Sequence, residues 1–226
     1  MYVVKGCECG IIEPMELDLA YIAIVLVVIL LSMTLHEVMH GFVAFWLGDD
    51  TAEREGRLTL NPIKHIDPFL TILLPVMLAI IGGPIFGGAK PVPFNPARLK
   101  YDEWGAALVA LAGPLTNLLI AFVLFASYQI FDPASTSFAG NFLVTGVWVN
   151  LGFFVFNMIP VPPLDGSRVL YALAPDFVRR GMEVIERYGL IVIFLIVFLA
   201  SPLIGRFIQV STGAIVHGFT VLLGGL

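Results

Sequence analysis

The residues best suited to chemistry are two histidines and a carboxylate in the run His36-Glu37-Val38-Met39-His40. Residues four apart lie one above the other on a helix, so His36 and His40 can direct their imidazole nitrogens at one metal ion. Glu37 lies one residue further round the helix, where its carboxylate can reach a water at the metal and act as a general base. The same spacing also arises by chance in soluble helices. Here it lies in an apolar stretch, where three unpartnered polar side chains would be costly, and this favours a metal site.

The composition is typical of a membrane protein. Hydrophobic residues make up 58% of the 226 positions and charged residues 13%, and the mean hydropathy is +0.94, which is too apolar for an ordinary soluble domain. Only 12 lysines and arginines are present, which argues against nucleic acid as a partner and leaves the lipid bilayer as the expected surroundings. Cys7 and Cys9 are too close for a favourable intrachain disulfide, so either they have no role or they bind a metal or another chain.

Several apolar stretches are long enough to cross the roughly 30 Å of bilayer hydrocarbon, which takes about 20 helical residues. They are Leu19 to Gly48, Trp104 to Phe131, Pro133 to Leu164, Tyr188 to Gly205 and Phe207 to Leu226. A shorter apolar run, Phe69 to Ile81, is followed by a Gly/Pro-rich stretch that ends at Pro96. We therefore predict an all-α polytopic membrane protein of about five to six transmembrane helices, with a re-entrant or hairpin element after the first span.

A catalytic zinc usually takes three protein ligands and leaves a fourth position for water or substrate. Intramembrane acids are rare in this chain, and Asp165 stands out because it follows a run with three prolines, Asn157 to Leu164. Prolines end the preceding helix, so we expect Asp165 on irregular backbone at membrane depth, which is tolerated only inside protein or beside a wet cavity. Taken alone, Asp165 could equally cap the helix that opens near Ser167.

Three motifs, taken in their order along the chain, resemble the site-2 protease family of intramembrane zinc metalloproteases. They are His36-Glu-x-x-His40, Gly113-Pro114-x-x-Asn117 and Asn157-x-x-Pro160-x-x-x-Leu164-Asp165-Gly166. The segments Gly56 to Pro62 and Ala89 to Val92 are similar to the compact prokaryotic branch, which lacks a PDZ domain. The resemblance covers roughly residues 20 to 200 and implies one membrane metalloprotease domain across residues 1 to 226.

The resemblance also implies an activity and a role for each site residue. His36, His40 and Asp165 would bind one Zn²⁺ per chain, Glu37 would be the base, and Asn157 would help to hold substrate or oxyanion. The expected reaction is hydrolysis of peptide bonds in or near the transmembrane segments of a membrane-protein substrate. The sequence has no feature that sets a particular substrate, a regulator or an oligomeric state.

Topology can be predicted from the motifs and the charges. Both metal motifs come at the C-terminal ends of their apolar runs, so those two helices must run in the same direction if they meet at one metal. The span from Trp104 then runs the other way, and residues 49 to 103 begin and end on one side. Of the 12 basic residues all but Lys5 and Arg206 fall on that side, which the positive-inside rule makes cytoplasmic. We expect a multi-pass cell-membrane protein with its active site toward the cytoplasm.

A metal transporter or metal-sensing membrane protein is the competing interpretation, with the same buried ligands forming a site between helices. It does not explain why Glu37 directly follows the first histidine, and it favours repeated or inverted halves, which the sequence lacks. The intact Glu37 also argues against a catalytically dead scaffold.

For the other polar features, the sequence either leaves two interpretations open or favours a structural role. Arg57 to Pro62 and Ala89 to Phe94 could offer an edge strand to an unwound substrate, or they could be plain connections. Asn117 lies among small residues that permit close helix packing, and we predict that it joins helices by hydrogen bonding. His65 in a polar loop and His217 in the last apolar run are predicted to be structural.

Overall fold

The chain folds into helices joined by short connections, and there is no strand in residues 19–81 and 87–224, the part that the computed structural model describes. In chain order the α-helices are α1 (Leu19–Trp46), α2 (Thr51–Arg54), α3 (Leu74–Ile81), α4 (Asp102–Phe131), α5 (Phe138–Asn157), α6 (Asp165–Leu173), α7 (Asp176–Arg187), α8 (Gly189–Leu199) and α9 (Ser201–Leu222). The predicted all-α class is confirmed. Cys7 and Cys9 lie outside the described residues.

Three helices are long and apolar enough to cross a membrane, namely α1, α4 and α5 with 28, 30 and 20 residues. The two last helices, α8 and α9, meet at a bend of 83° and form either one broken span or a re-entrant loop. The described residues thus provide three spans, or four with the bent pair, which is fewer than the five to six expected. One reason is that the two stretches predicted after Tyr188 form this bent pair, in which the 11 residues of α8 cover only about 16 Å of a hydrocarbon layer of about 30 Å.

A re-entrant element with one helical arm follows the first span, as expected. The π-helical segment Pro68–Leu73 continues into α3, and at 1.5 Å per residue the two together are too short to cross the bilayer. The returning chain comes back to the start of this segment, where the amide of Gly88 donates to the carbonyl of Leu70 at 3.1 Å and the Thr71 hydroxyl donates to the carbonyl of Gly88 at 2.6 Å. The element therefore begins and ends on one side.

Helix α4 is the centre of the bundle, because it packs against α1, α5 and α6. Its first half carries small buried residues that let these backbones approach closely, including Gly105, Ala106, Ala110 and Gly113. Its second half joins α5 and α9 through an apolar cluster that includes Phe125, Leu151 and Phe219. This arrangement brings the C-terminal half of α1, the middle of α4 and the start of α6 to one place.

Candidate metal centre

Three side chains from two helices converge at the centre of the bundle. His36 Nε2 and His40 Nε2, one turn apart on α1, lie 3.0 Å from each other. Asp165 Oδ2, from the first residue of α6, lies 3.2 Å from His36 Nε2 and 3.5 Å from His40 Nε2. Both histidines are buried, whereas 21% of the Asp165 side chain is exposed. The three predicted ligands are therefore brought together, with Asp165 on the more open side.

Each histidine is held by a hydrogen bond from its other ring nitrogen. His40 Nδ1 lies 2.7 Å from the carbonyl oxygen of Val109 on α4, which can only accept, so Nδ1 carries the proton. His36 Nδ1 lies 2.5 Å from Oδ1 of Asn117, also on α4. In both rings this leaves the Nε2 lone pair directed at the cluster, which is the tautomer that a metal ligand needs.

A chain of buried side chains fixes the direction of the Asn117 amide. The carbonyl of Gly146 accepts from Asn150 Nδ2 at 2.8 Å, and the Ser32 hydroxyl lies 2.9 Å from the same nitrogen. Asn150 Oδ1 is thereby left to accept from Asn117 Nδ2 at 2.8 Å, which turns Asn117 Oδ1 toward His36. The network links α1, α4 and α5, and both asparagines are fully buried.

The chemistry of the donor set fits a divalent cation. Two imidazole lone pairs and one carboxylate oxygen face one another within 3.5 Å, and Asp165 Oδ2 is buried without a hydrogen-bond partner. Three acceptors so close repel one another unless a positive charge lies among them. In a tetrahedral zinc site, donors about 2.0–2.2 Å from the metal lie roughly 3.3–3.6 Å apart. The 3.5 Å between His40 Nε2 and Asp165 Oδ2 is within this range, and the other two distances, 3.2 and 3.0 Å, are slightly shorter.

Gly113 on α4 keeps this place free of protein atoms. A Cβ at this position would lie 2.5 Å from His40 Nε2 and 2.6 Å from His36 Nε2. Any larger residue would therefore occupy the space in front of both ligand atoms. The glycine in the second sequence motif, Gly113, is therefore required for steric reasons.

Glu37 lies beside the cluster and has a different partner. Its carboxylate and the two histidine rings each offer a ligand atom within 4.8 Å of the others. Glu37 Oε2 accepts a hydrogen bond of 2.8 Å from the backbone amide of Val92, which orients the carboxylate. This placement is suited to a base that exchanges a proton with a water at the cluster.

The segment that carries Val92, residues 87–95, is held by two buried charged groups, one at its middle and one at its C-terminal end. Arg57, which is 5% exposed, donates from one guanidinium nitrogen to the carbonyls of Lys90 at 2.7 Å and Pro91 at 3.3 Å. Asp49, which is fully buried, accepts from the amide of Asn95 at 2.6 Å. Burial alone would raise the pKa of Asp49, but the hydrogen bonds from Thr51 and Asn95 keep it below its usual value.

Local backbone structure explains how Asp165 reaches the histidines. The cap of α6 is Leu164, so Asp165 is the first helical residue and its side chain faces the two imidazoles. The capping alternative considered from the sequence is therefore not what the structure has. A Cβ at Gly166 would lie 2.4 Å from the carbonyl oxygen of Met158, so the tight return of the chain requires glycine at this position.

The remaining predicted site residue, Asn157, has a local contact. Its Nδ2 donates to the carbonyl of Phe153 one turn earlier on α5, at 3.0 Å, and no described hydrogen bond joins it to the cluster. Asn117 was predicted to join helices, and it does so while also holding His36. Asn150 was not singled out from the sequence. The available signal was that Asn117 and Asn150 each lie in the middle of an apolar span, where an amide must find partners inside the membrane.

Comparison with known proteins agrees with this geometry. The model of the family described as peptidase family M50 matches residues 129–200. A protein of Bacillus subtilis, YwhC, is 42% identical over 198 residues, which are 84% of this chain and 84% of that protein. Rip2 of Mycolicibacterium smegmatis is 33% identical over 195 residues, 83% of this chain and 72% of that protein. The names of both describe zinc metalloproteases, and no solved structure matches.

The chain belongs to peptidase family M50. Family membership and the histidine–carboxylate cluster together identify a zinc-dependent protease, and the apolar helices identify a membrane protein. The predicted family, class of enzyme and cofactor are confirmed at this level.

Proposed function

We propose that the protein is an intramembrane zinc metalloprotease that hydrolyses peptide bonds in or near the transmembrane segments of membrane-protein substrates. The observation that carries the proposal is the position of the cluster on a membrane-spanning helix. His36 lies about 26 Å along α1 from Leu19, and the helix ends at Trp46, six residues after His40. The reacting groups are thus within the span, close to the side where α1 ends.

In this proposal His36, His40 and Asp165 hold one Zn²⁺ per chain, and Glu37 is the general base. When bound, zinc would polarise the substrate carbonyl and lower the pKa of a coordinated water. Glu37 takes a proton from the attacking water and delivers it to the departing amine nitrogen as the C–N bond breaks. The amide of Val92, bound to Glu37 Oε2, keeps the carboxylate in position for both transfers.

The surroundings of the site support water entry from one side. Asp165 is partly exposed, whereas both histidines are buried. We assign this side to the cytoplasm and the protein to the cell membrane, because ten of the 12 basic residues lie in the segments on that side. The partners are then a transmembrane substrate and the lipid bilayer. The role of Asn157 in holding substrate stays a prediction.

The first prediction tests the base. Glu37→Gln keeps the shape of the side chain but removes its ability to accept a proton, so cleavage of a membrane-embedded reporter should fall by about 10²-fold or more. Zinc content and thermal stability should change little. The measurement compares reporter cleavage in proteoliposomes for the wild type, Glu37→Gln and Glu53→Gln, a matched change at an exposed glutamate of α2.

Three outcomes would contradict the proposal in different ways. Cleavage by Glu37→Gln near the wild-type rate would remove Glu37 from the mechanism. Metal flux into vesicles that survives Glu37→Gln, with no cleavage by the wild type, would favour the transport interpretation. A wild type that cleaves an unfolded soluble polypeptide but leaves the membrane reporter intact would show a protease without intramembrane activity.

A further inference from the structure

Helix α7 turns its polar side toward the protein and its apolar side outward. On the polar side Arg168 of α6 pairs with Glu186, and the Tyr171 hydroxyl donates to Glu183 Oε1 at 2.7 Å. Arg179 completes the contact, because its Nε donates to the carbonyl of Tyr171 at 3.0 Å. In a soluble protein an amphipathic helix has the reverse orientation, with its apolar side on the core.

The outward side of α7 is a stripe of large apolar side chains. Phe177, Val184 and Tyr188 recur at spacings of seven and four, which places them on one helix face, and Ile185 lies beside them. Their exposed fractions are 77%, 54%, 60% and 39% respectively. Only Met182, at the edge of the apolar side, is buried against the protein. The stripe therefore requires an apolar partner outside the part of the chain that the structure describes.

Two arginines line one border of the stripe. Arg180 and Arg187, seven positions apart, are exposed and form no ion pair with any described residue. Every other arginine of α6 and α7 has a partner among the described residues. Unpaired cations beside an apolar face match an anionic headgroup above acyl chains.

We propose that α7 is an interfacial helix that binds an anionic phospholipid surface, with the stripe in the acyl region and Arg180 and Arg187 at the phosphates. One observation favours lipid over a second copy of the chain. The stripe leads at Gly189 directly into α8, an entirely apolar helix with exposed Ile191, Phe194 and Leu195.

The experiment locates the stripe relative to lipid and water. Spin labels are placed at Phe177→Cys and Val184→Cys, and at Asp176→Cys on the polar side as reference, with Cys7 and Cys9 replaced by serine. In vesicles of phosphatidylcholine with phosphatidylglycerol, labels 177 and 184 should collide mainly with oxygen, which concentrates in hydrocarbon. Label 176 should collide mainly with a water-soluble nickel chelate. Using two stripe positions keeps the result interpretable if one variant misfolds.

A second measurement tests the arginines. Spin-labelled phosphatidylglycerol and phosphatidylcholine compete for the protein surface, and Arg180→Gln with Arg187→Gln should lower the preference for phosphatidylglycerol by up to about fivefold for each arginine. The matched control is Lys64→Gln with Lys100→Gln, which removes two exposed, unpaired cations elsewhere. The control should keep most of the preference.

Three results would overturn the proposal. Stripe labels that collide mainly with the nickel chelate would place α7 in water. Strong dipolar coupling between labels at position 177 of two chains would make the occupant a second copy. An equal loss of lipid preference in the lysine control would remove the arginines from a specific role. None of these readouts depends on protease activity, so a failure of the lipid-binding proposal would not contradict the proposed protease function.

Discussion

At the level of single residues, two carboxylates beside the same histidines differ in what binds them. Asp165 Oδ2 faces both Nε2 atoms and has no hydrogen-bond donor, whereas Glu37 Oε2 accepts the amide of Val92. A buried carboxylate without a donor needs a cation, and an acid already oriented by a donor can exchange protons without leaving its place. The contacts thus support a ligand role for Asp165 and a base role for Glu37.

The ligand role leads to a prediction about metal content. Asp165→Ala leaves two histidines, which form an incomplete zinc site, so most of the roughly one zinc per chain should be lost on dialysis against a weak chelator. Asp176→Ala removes an exposed acid at the start of α7 and should retain the metal. Metal analysis of the purified proteins measures both. Full zinc occupancy in Asp165→Ala would show that Asp165 is not a ligand.

Gly113 leads to a steric prediction. In Gly113→Ala the new methyl group would lie within 2.6 Å of both Nε2 atoms, so the imidazoles must move and the affinity for zinc should fall at least tenfold. The matched control is Gly152→Ala on α5, where a Cβ would meet nothing within 4 Å. Competition with a fluorescent chelator measures both affinities. Wild-type affinity in Gly113→Ala would show that the space in front of the histidines is not where the metal binds.

How far each site residue could be predicted depended on where its partner lies in the chain. His36 and His40 share one helix, so their spacing alone predicts their convergence. Asp165 needed the family resemblance, because its sequence context also allowed a helix cap. Asn150 was missed because its partners, Ser32 and Asn117, come from two other helices, and no local pattern reveals such a pairing.

At the level of elements, the segment of residues 87–95 binds the proposed base, Glu37, and is itself held by Arg57 and Asp49. Its carbonyls at Lys90 and Pro91 are bound by Arg57, its amide at Val92 by Glu37 and its amide at Asn95 by Asp49. Of the two interpretations left open by the sequence, this favours a fixed connection over an edge strand. A substrate strand would have to use the backbone groups that these bonds leave free.

Asp49 gives this element a dependence on pH. Because its folded-state pKa is lowered, Asp49 contributes stability above its usual value of 3.8, and that contribution is lost as the pH falls below this value. Asp49→Asn should therefore lower the melting temperature near neutral pH, and the difference from the wild type should shrink below about pH 4. Thermal unfolding in detergent with excess chelator measures the difference without a contribution from metal release.

The control for this prediction is Asp50→Asn, which changes the neighbouring acid, whose partners are the exposed Arg54 and Arg98. Exposed ion pairs contribute little, so its melting temperature should stay close to that of the wild type. An Asp49→Asn difference that is constant from neutral pH to pH 3 would mean that the lost contacts do not involve the ionised carboxylate.

The presence of an element could be predicted where the direction of the neighbouring spans or the hydrophobic pattern required it. The hairpin after the first span was predicted because residues 49 to 103 must begin and end on one side. In the structure the chain does come back, since the amide of Gly88 donates to the carbonyl of Leu70. The bend between α8 and α9 was not predictable in the same way. Both sides of the break at Ala200 are apolar, so hydropathy cannot locate it, and the sequence suggested Arg206 as the boundary instead.

At the level of the whole molecule, the basic residues lie at one end of the bundle. Ten of the 12 fall in the connections between α1 and α4 and between α5 and α8, the same end as the metal centre. The connection between α4 and α5, residues 132 to 137, has none. This asymmetry is the sequence feature that orients a membrane protein, and it predicts that the site faces the cytoplasm.

Cysteine labelling in intact cells tests this orientation. With Cys7 and Cys9 replaced by serine, single cysteines at Asp50 and Asp176 report on the basic end, and Ser135→Cys reports on the connection between α4 and α5. An impermeant thiol reagent added outside should label Ser135→Cys and leave the other two unmodified, because charged reagents do not cross the bilayer. After the membrane is permeabilised, all three should react. Labelling of Asp50→Cys or Asp176→Cys from outside, with Ser135→Cys protected, would invert the topology and place the proposed site on the outer side.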